Sequence, residues 1–239
     1  MYHPTVARLT RRSLLGRRRG LVLAALPLLL LAVAVFVRVT VGADDRMTAD
    51  LLGGFALSAI VPLIGVIAGT GAIGPEIDDG SVVHLLSKPV ERSTIVLTKL
   101  YVAIGVTVAF SAVPTLLAGF VLNGNSGQLA VAYAVAAAVG SVTYSALFLL
   151  LGVVSRHAVV IGLLYALVWE AVISNVIEGA RALSVQQWSL AVAEKFAADG
   201  TVTSAVSFST AVLLLVGVTV AGTVWARRKL QTLTVAGEA

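Results

Sequence analysis

Six stretches of this chain, near 21–42, 51–73, 94–122, 129–154, 159–177 and 205–226, are apolar for about as long as a helix needs to cross a hydrocarbon layer. That layer is about 30 Å thick and takes roughly 20 helical residues. Backbone N–H and C=O groups find no water in lipid, so runs this long favour helices, which satisfy those groups internally, over a barrel. Composition agrees, with 58% hydrophobic and 12% charged residues in 239, which excludes a water-soluble domain. The chain has no cysteine, so a disulfide framework and a thiolate metal site are both excluded. The net charge of +5 does not point to nucleic acid, because the basic residues flank apolar runs and do not line a solvated face. Anionic lipid and topology account for them. The expected fold is an all-α membrane protein of six transmembrane helices, forming one domain over 1–239.

Lys and Arg set the expected orientation. Arg8, Arg11, Arg12, Arg17, Arg18 and Arg19 precede the first stretch, Lys88, Arg92 and Lys99 follow the second, Arg156 follows the fourth, and Arg227, Arg228 and Lys229 follow the sixth. The opposite side holds Arg46, Arg181 and Lys195, with Arg38 near the outer end of the first stretch. This bias puts both termini in the cytoplasm of a bacterial inner membrane. Thr10-Arg11-Arg12-Ser13-Leu14-Leu15 resembles a twin-arginine export signal, but a second basic cluster abuts an apolar run of full span length. Residues 1–20, where Val6, Leu9 and Leu14 alternate with arginines, read instead as a basic elbow helix in the membrane interface.

Between the second and third stretches lies a polar island, 74–93. Gly74-Pro75 ends the span and Glu76, Asp78 and Asp79 follow. Gly80 permits backbone angles closed to other residues, and Ser81 can cap a helix. Val82-Val83-His84-Leu85-Leu86 has an apolar face too short to be stable alone, and Pro89 ends it. Two readings follow: a loop tucked against its own spans, or a docking helix for a partner.

The string Glu76-x-x-x-Gly80-Ser81, a short apolar helix, then Ser87-Lys88-Pro89-Val90-x-Arg92 resembles the ABC transporter type-2 permease family. Thr98 stands where that family usually has a glycine before Lys99, and valines with His84 replace some leucines. The resemblance extends over the basic N-terminus, the six spans, the short basic fourth loop and the longer outer loop 178–204. It implies that Glu76, Asp78, Asp79, Gly80, Ser81, Leu85, Leu86, Pro89 and Arg92 form a coupling helix held by a separate ATP-binding subunit. It also implies a second permease copy, as homodimer or paired heterodimer, with ATP and Mg bound by the partner and no cofactor in this chain. The chain has no Gly-x-x-x-x-Gly-Lys-Ser/Thr; Lys88, Lys99, Lys195 and Lys229 all follow residues other than glycine. Hydrolysis by a phosphate-binding loop therefore has to come from another chain.

Glu170 is the one acid well inside an expected span. Such residues face a bundle interior or a watery cavity. It reads either as lining a translocation path or gate, or as a packing partner bonded to Asn175, Tyr165 or a serine. The resembling permeases often have a pair like Trp169-Glu170. Arg38 and Lys99 are expected to snorkel to opposite interfaces. Pro27, Pro62 and Pro114 can kink their spans, and Gly54, Ser58, Gly65 and Gly69 leave small surfaces for helix contact. In the outer loop, Ser184-Val-Gln-Gln187 fits a capping box, and Leu183, Trp188, Val192 and Phe196 predict an amphipathic helix over 185–198 stopping at Gly200. That helix either caps a substrate exit or seals the bundle.

Rival functions leave fewer traces. His3, His84 and His157 fall outside the expected spans and lack neighbours at ligand spacing, which leaves neither an intramembrane triad nor a metal site. A secondary transporter should show internal repeats, broken spans and buried ionisable groups; no repeat relates the first three spans to the last three, and Glu170 stands alone. A non-transporting structural subunit stays open as the other alternative.

Overall fold

The computed structural model describes residues 3–74, 76, 92–198 and 200–232. Among these residues every regular element is a helix. Helix α1, Pro4–Leu14, starts with proline in its first turn, where a missing N–H is harmless. It is followed by α2, Arg17–Thr40, α3, Asp45–Gly71, α4, Arg92–Asn123, and α5, Leu129–Val154. Then come α6, Ala158–Ile173, α7, Val185–Phe196, and α8, Phe208–Thr232. Among the described residues five helices, α2, α3, α4, α5 and α8, are long and apolar enough to cross a membrane. The fifth expected span, 159–177, is not among them. The apolar part of α6 ends at Ile173, helical backbone continues through Ser174–Val176, and Ile177 then turns extended at φ −101° before a last short helical turn at Glu178–Arg181.

The ends of the helices sort into two groups. At one end, Arg19 of α2 donates to Gly71 O of α3 at 3.3 Å. Ala72, Ile73, Val96, Leu100, Val153, Ala226 and Leu230 form an apolar cluster there. This end gathers the N-termini of α2 and α4 and the C-termini of α3, α5 and α8, and is called the basic end below. At the other end, Arg38 Nη1 donates to Leu122 O at 2.9 Å. Arg38 was expected only to snorkel outward; it also satisfies a carbonyl in the last turn of α4, a group no residue of α4 can bond.

Close contact between α3 and α5 depends on two glycines. A Cβ on Gly65 would lie 2.8 Å from Tyr144 Cβ, and one on Gly69 would lie 2.7 Å from Phe148 Cβ and 3.0 Å from Leu149 N. Small residues let backbones approach, which is what holds helices together where lipid replaces water. Gly54, in contrast, faces open space. Gly69→Ala is expected to lower stability by about 1–3 kcal/mol through overpacking, whereas Gly54→Ala should be neutral or slightly stabilising. Equal unfolding midpoints for the two variants in detergent would refute this contrast. Across α4 and α5, Ser111 and Ser141 hydroxyls lie 2.7 Å apart and Ser145 donates to Thr107 at 3.1 Å, giving two interhelical polar bonds.

Two helices contain π-wound segments, Leu52–Ile60 in α3 and Tyr165–Ile173 in α6, and they pack against each other. Pro62 lies two residues beyond the first. Its ring clashes with the carbonyl four residues back, at Ser58, which lies within the wide segment. The Gly53 carbonyl, in the same segment, accepts from Gln186 Nε2 of α7 at 3.4 Å.

Candidate functional site

The acidic stretch singled out by the sequence begins where α3 ends. The Glu76 N–H donates to Ile73 O at 3.2 Å, and its carboxylate Oε1 accepts from Lys99 Nζ at 2.7 Å. Lys99 lies in the second turn of α4 with no exposed surface, while Glu76 keeps 28% of its side-chain surface. The same ammonium donates to Ala72 O, at the C-cap of α3, at 2.6 Å. One side chain therefore closes the last turn of α3 and pairs with the acid opening the polar stretch.

Lys99 does not snorkel, contrary to the sequence expectation. A buried ammonium is tolerated when a carboxylate and a carbonyl replace its water, and both are present. Helix α1 lies against α4 at this point, with His3 N donating to Thr98 Oγ1 at 3.1 Å, and Leu14 reaches Gly71. Asp78, Asp79, Gly80, Ser81, Leu85, Leu86 and Pro89 lie outside the described residues. Arg92 is described only by its backbone, as the first residue of α4.

Glu170 is completely buried in the π-wound part of α6. Its Oε1 accepts from the Tyr165 hydroxyl at 2.8 Å and from Val185 N at 3.0 Å. Its Oε2 accepts from the Ser184 hydroxyl and from Gln186 N at 3.3 Å. Val185 and Gln186 are the first residues of α7, and the third N–H, of Gln187, donates to Ser184 Oγ at 3.3 Å. Glu170 and Ser184 thus satisfy three of the N–H groups that every helix start leaves open, and the carboxylate sits at the positive end of the α7 dipole. Bonding to Tyr165 and to a serine, one of the two expectations for Glu170, is present.

No family model and no curated protein matches this chain. Its chemistry is therefore read from its own residues. Among the described residues no group of three or more His, Asp or Glu could hold a metal ion.

The capping role of Ser184 was legible from its spacing to Gln187, but the box is not reciprocal. Gln187 Nε2 instead donates to Gln186 Oε1 at 3.0 Å, the Ser184 N–H donates to Arg181 O at 3.2 Å, and Glu170 accepts from the next two amides. Helix α7 ends at Phe196, short of the expected Gly200, which takes φ +80° in the turn beyond. Val185, Trp188, Ala191 and Val192 are buried in the core, whereas Leu183 and Phe196 are exposed. Packed on α5 and α8, α7 is part of the bundle.

Proposed function

We infer that this chain is the membrane-spanning permease subunit of an ATP-driven type-2 ABC exporter, working with a separate ATP-binding subunit and a second permease copy. On this reading α6 is a sixth crossing, α1 is an elbow helix at the cytoplasmic interface, and the basic end faces the cytoplasm. Residues 76–92 form the coupling segment. The Glu76–Lys99 pair is the observation that carries it most directly. It ties the first residue of that segment to both α3 and α4, so a push delivered there reaches two spans together and is not absorbed by a slack loop. The charge bias, the resemblance over 76–92 and the missing phosphate-binding loop support the same reading.

The test uses the tagged full chain purified from its native membrane. Vanadate-sensitive ATP turnover is expected in the eluate. It should fall about tenfold in the Asp79→Arg/Leu86→Asp variant, because a disrupted docking helix forfeits at least ~1.4 kcal/mol of partner binding. An eluate without ATP turnover, or one unchanged by the double substitution, overturns the assignment. Because the chain has no cysteine, Ser81→Cys provides a single labelling site. Labelling of that site by an impermeant maleimide from outside intact cells would reverse the orientation.

A further inference from the structure

At the basic end, where the start of α2, the end of α3 and the start of α6 meet, the protein forms a pocket of about 430 Å³. Its polar lining includes Arg19, Ser155, Arg156 and His157, and no lining residue is acidic. Arg19 is fixed in place by its bond to Gly71 O, which occupies Nη1 and leaves the other N–H groups of its guanidinium for a ligand. Arg156 and His157 are exposed. The Glu76 carboxylate, the acid described nearest in sequence to the pocket wall at Gly74, is already bonded to Lys99. The pocket therefore presents positive charge that no described carboxylate neutralises.

Its walls also carry apolar side chains. Val22 on α2 and Val159 and Val160 on α6 line the pocket and are about half exposed, at 51%, 53% and 56%. A cationic recess continued by exposed valines suits a molecule with an anionic head and hydrocarbon chains. Water-soluble anions would leave the valines uncovered, and zwitterionic lipids would bring a choline cation into a recess that already holds two guanidinium groups.

We propose that this pocket is a binding site for an anionic phospholipid, whose phosphate is held by Arg19 and Arg156 and whose acyl chains lie along α2 and α6. The site needs no motor subunit, so its test succeeds or fails independently of the exporter reading. Its location assigns a distinct task to Arg19 and Arg156 among the many basic residues at this end.

Native mass spectrometry of the full chain in neutral detergent, titrated with phosphatidylglycerol or phosphatidylcholine at 0.15 M salt, reads occupancy directly. Tight phosphatidylglycerol adducts are expected, with phosphatidylcholine adducts far weaker. R156Q, at an exposed position that leaves the fold intact, should weaken phosphatidylglycerol binding about tenfold, and R19Q/R156Q further still. R227Q/R228Q removes the same charge from the same end and should change binding by no more than about twofold, because distant surface charge is screened. Equal losses in R156Q and R227Q/R228Q would reduce the effect to diffuse attraction and overturn the site. So would unchanged binding in R156Q, or displacement of the lipid by millimolar inorganic phosphate, which would make the pocket an anion site with no lipid preference.

Discussion

Replacing Glu170 by glutamine is expected to destabilise the bundle by about 2–3 kcal/mol, although the side chain keeps its shape and loses only formal charge. The reason is the direction of the bonds around it. Val185 N–H points at one carboxylate oxygen and Gln186 N–H at the other. An amide offers one oxygen and one NH₂, so in either orientation it sets a donor against a donor. Glu170→Leu should cost more, about 3–5 kcal/mol, because two backbone N–H groups and the Tyr165 and Ser184 hydroxyls lose their acceptor inside an apolar core. The effect should appear locally first. Lys195 lies in the last turn of α7, so tryptic cleavage there rises when the helix detaches from the bundle and unwinds. A loss of 2–3 kcal/mol confined to the cap should raise that cleavage rate more than tenfold in Glu170→Gln. Wild-type cleavage and wild-type unfolding midpoints in this variant would show that Glu170 does not hold α7 down.

The second large effect is expected at the opposite end of the bundle. Lys99→Met fills a similar volume but strips the partner from Glu76 and from the Ala72 carbonyl. Removing one member of a buried pair costs roughly 3–5 kcal/mol. Glu76 retains some contact with solvent, so about 3 kcal/mol is expected here. Glu76→Gln should be milder, about 1–2 kcal/mol, since the amide oxygen still accepts from the ammonium. The informative variant is the double one. Lys99→Met/Glu76→Gln should recover part of the loss of Lys99→Met, because the uncompensated carboxylate is gone. Strict additivity in denaturant titrations would mean the two side chains do not act as a pair.

The bundle itself was legible because lipid crossing demands long apolar runs. The runs near 21–42, 51–73, 94–122, 129–154 and 205–226 correspond to α2, α3, α4, α5 and α8, with ends displaced by a few residues. The fifth run, 159–177, matches helical backbone from Ala158 to Val176, which is shorter than the other five and has its apolar part in Ala158–Ile173. Ile177 turns extended so that the chain can return Ser184 and the first amides of α7 to Glu170. The Glu170 and Ser184 signals were each visible in the sequence, but nothing in their spacing said that the acid of one helix supplies the cap of another. Lys99 was misread for a similar reason. A lysine seven residues beyond Arg92 looks like a snorkelling residue until the C-terminus of α3 is placed beside it, with Ala72 and Glu76 facing α4. Tertiary proximity, unseen along the chain, decided both.

The two π-wound segments have a consequence for how the ends of α3 and α6 can turn. Each residue of an ordinary helix advances the direction of its side chain by about 100°. Rewinding Leu52–Ile60 to the tighter form by one residue would therefore swing Asp45–Leu51 about a third of a revolution against Val61–Gly71, with hardly any lengthwise travel. Tyr165–Ile173, pressed against it, has the same slack and carries Glu170. Such a rewinding would turn the two helices as neighbouring rotary joints, and the carboxylate that fastens α7 is mounted on one of them.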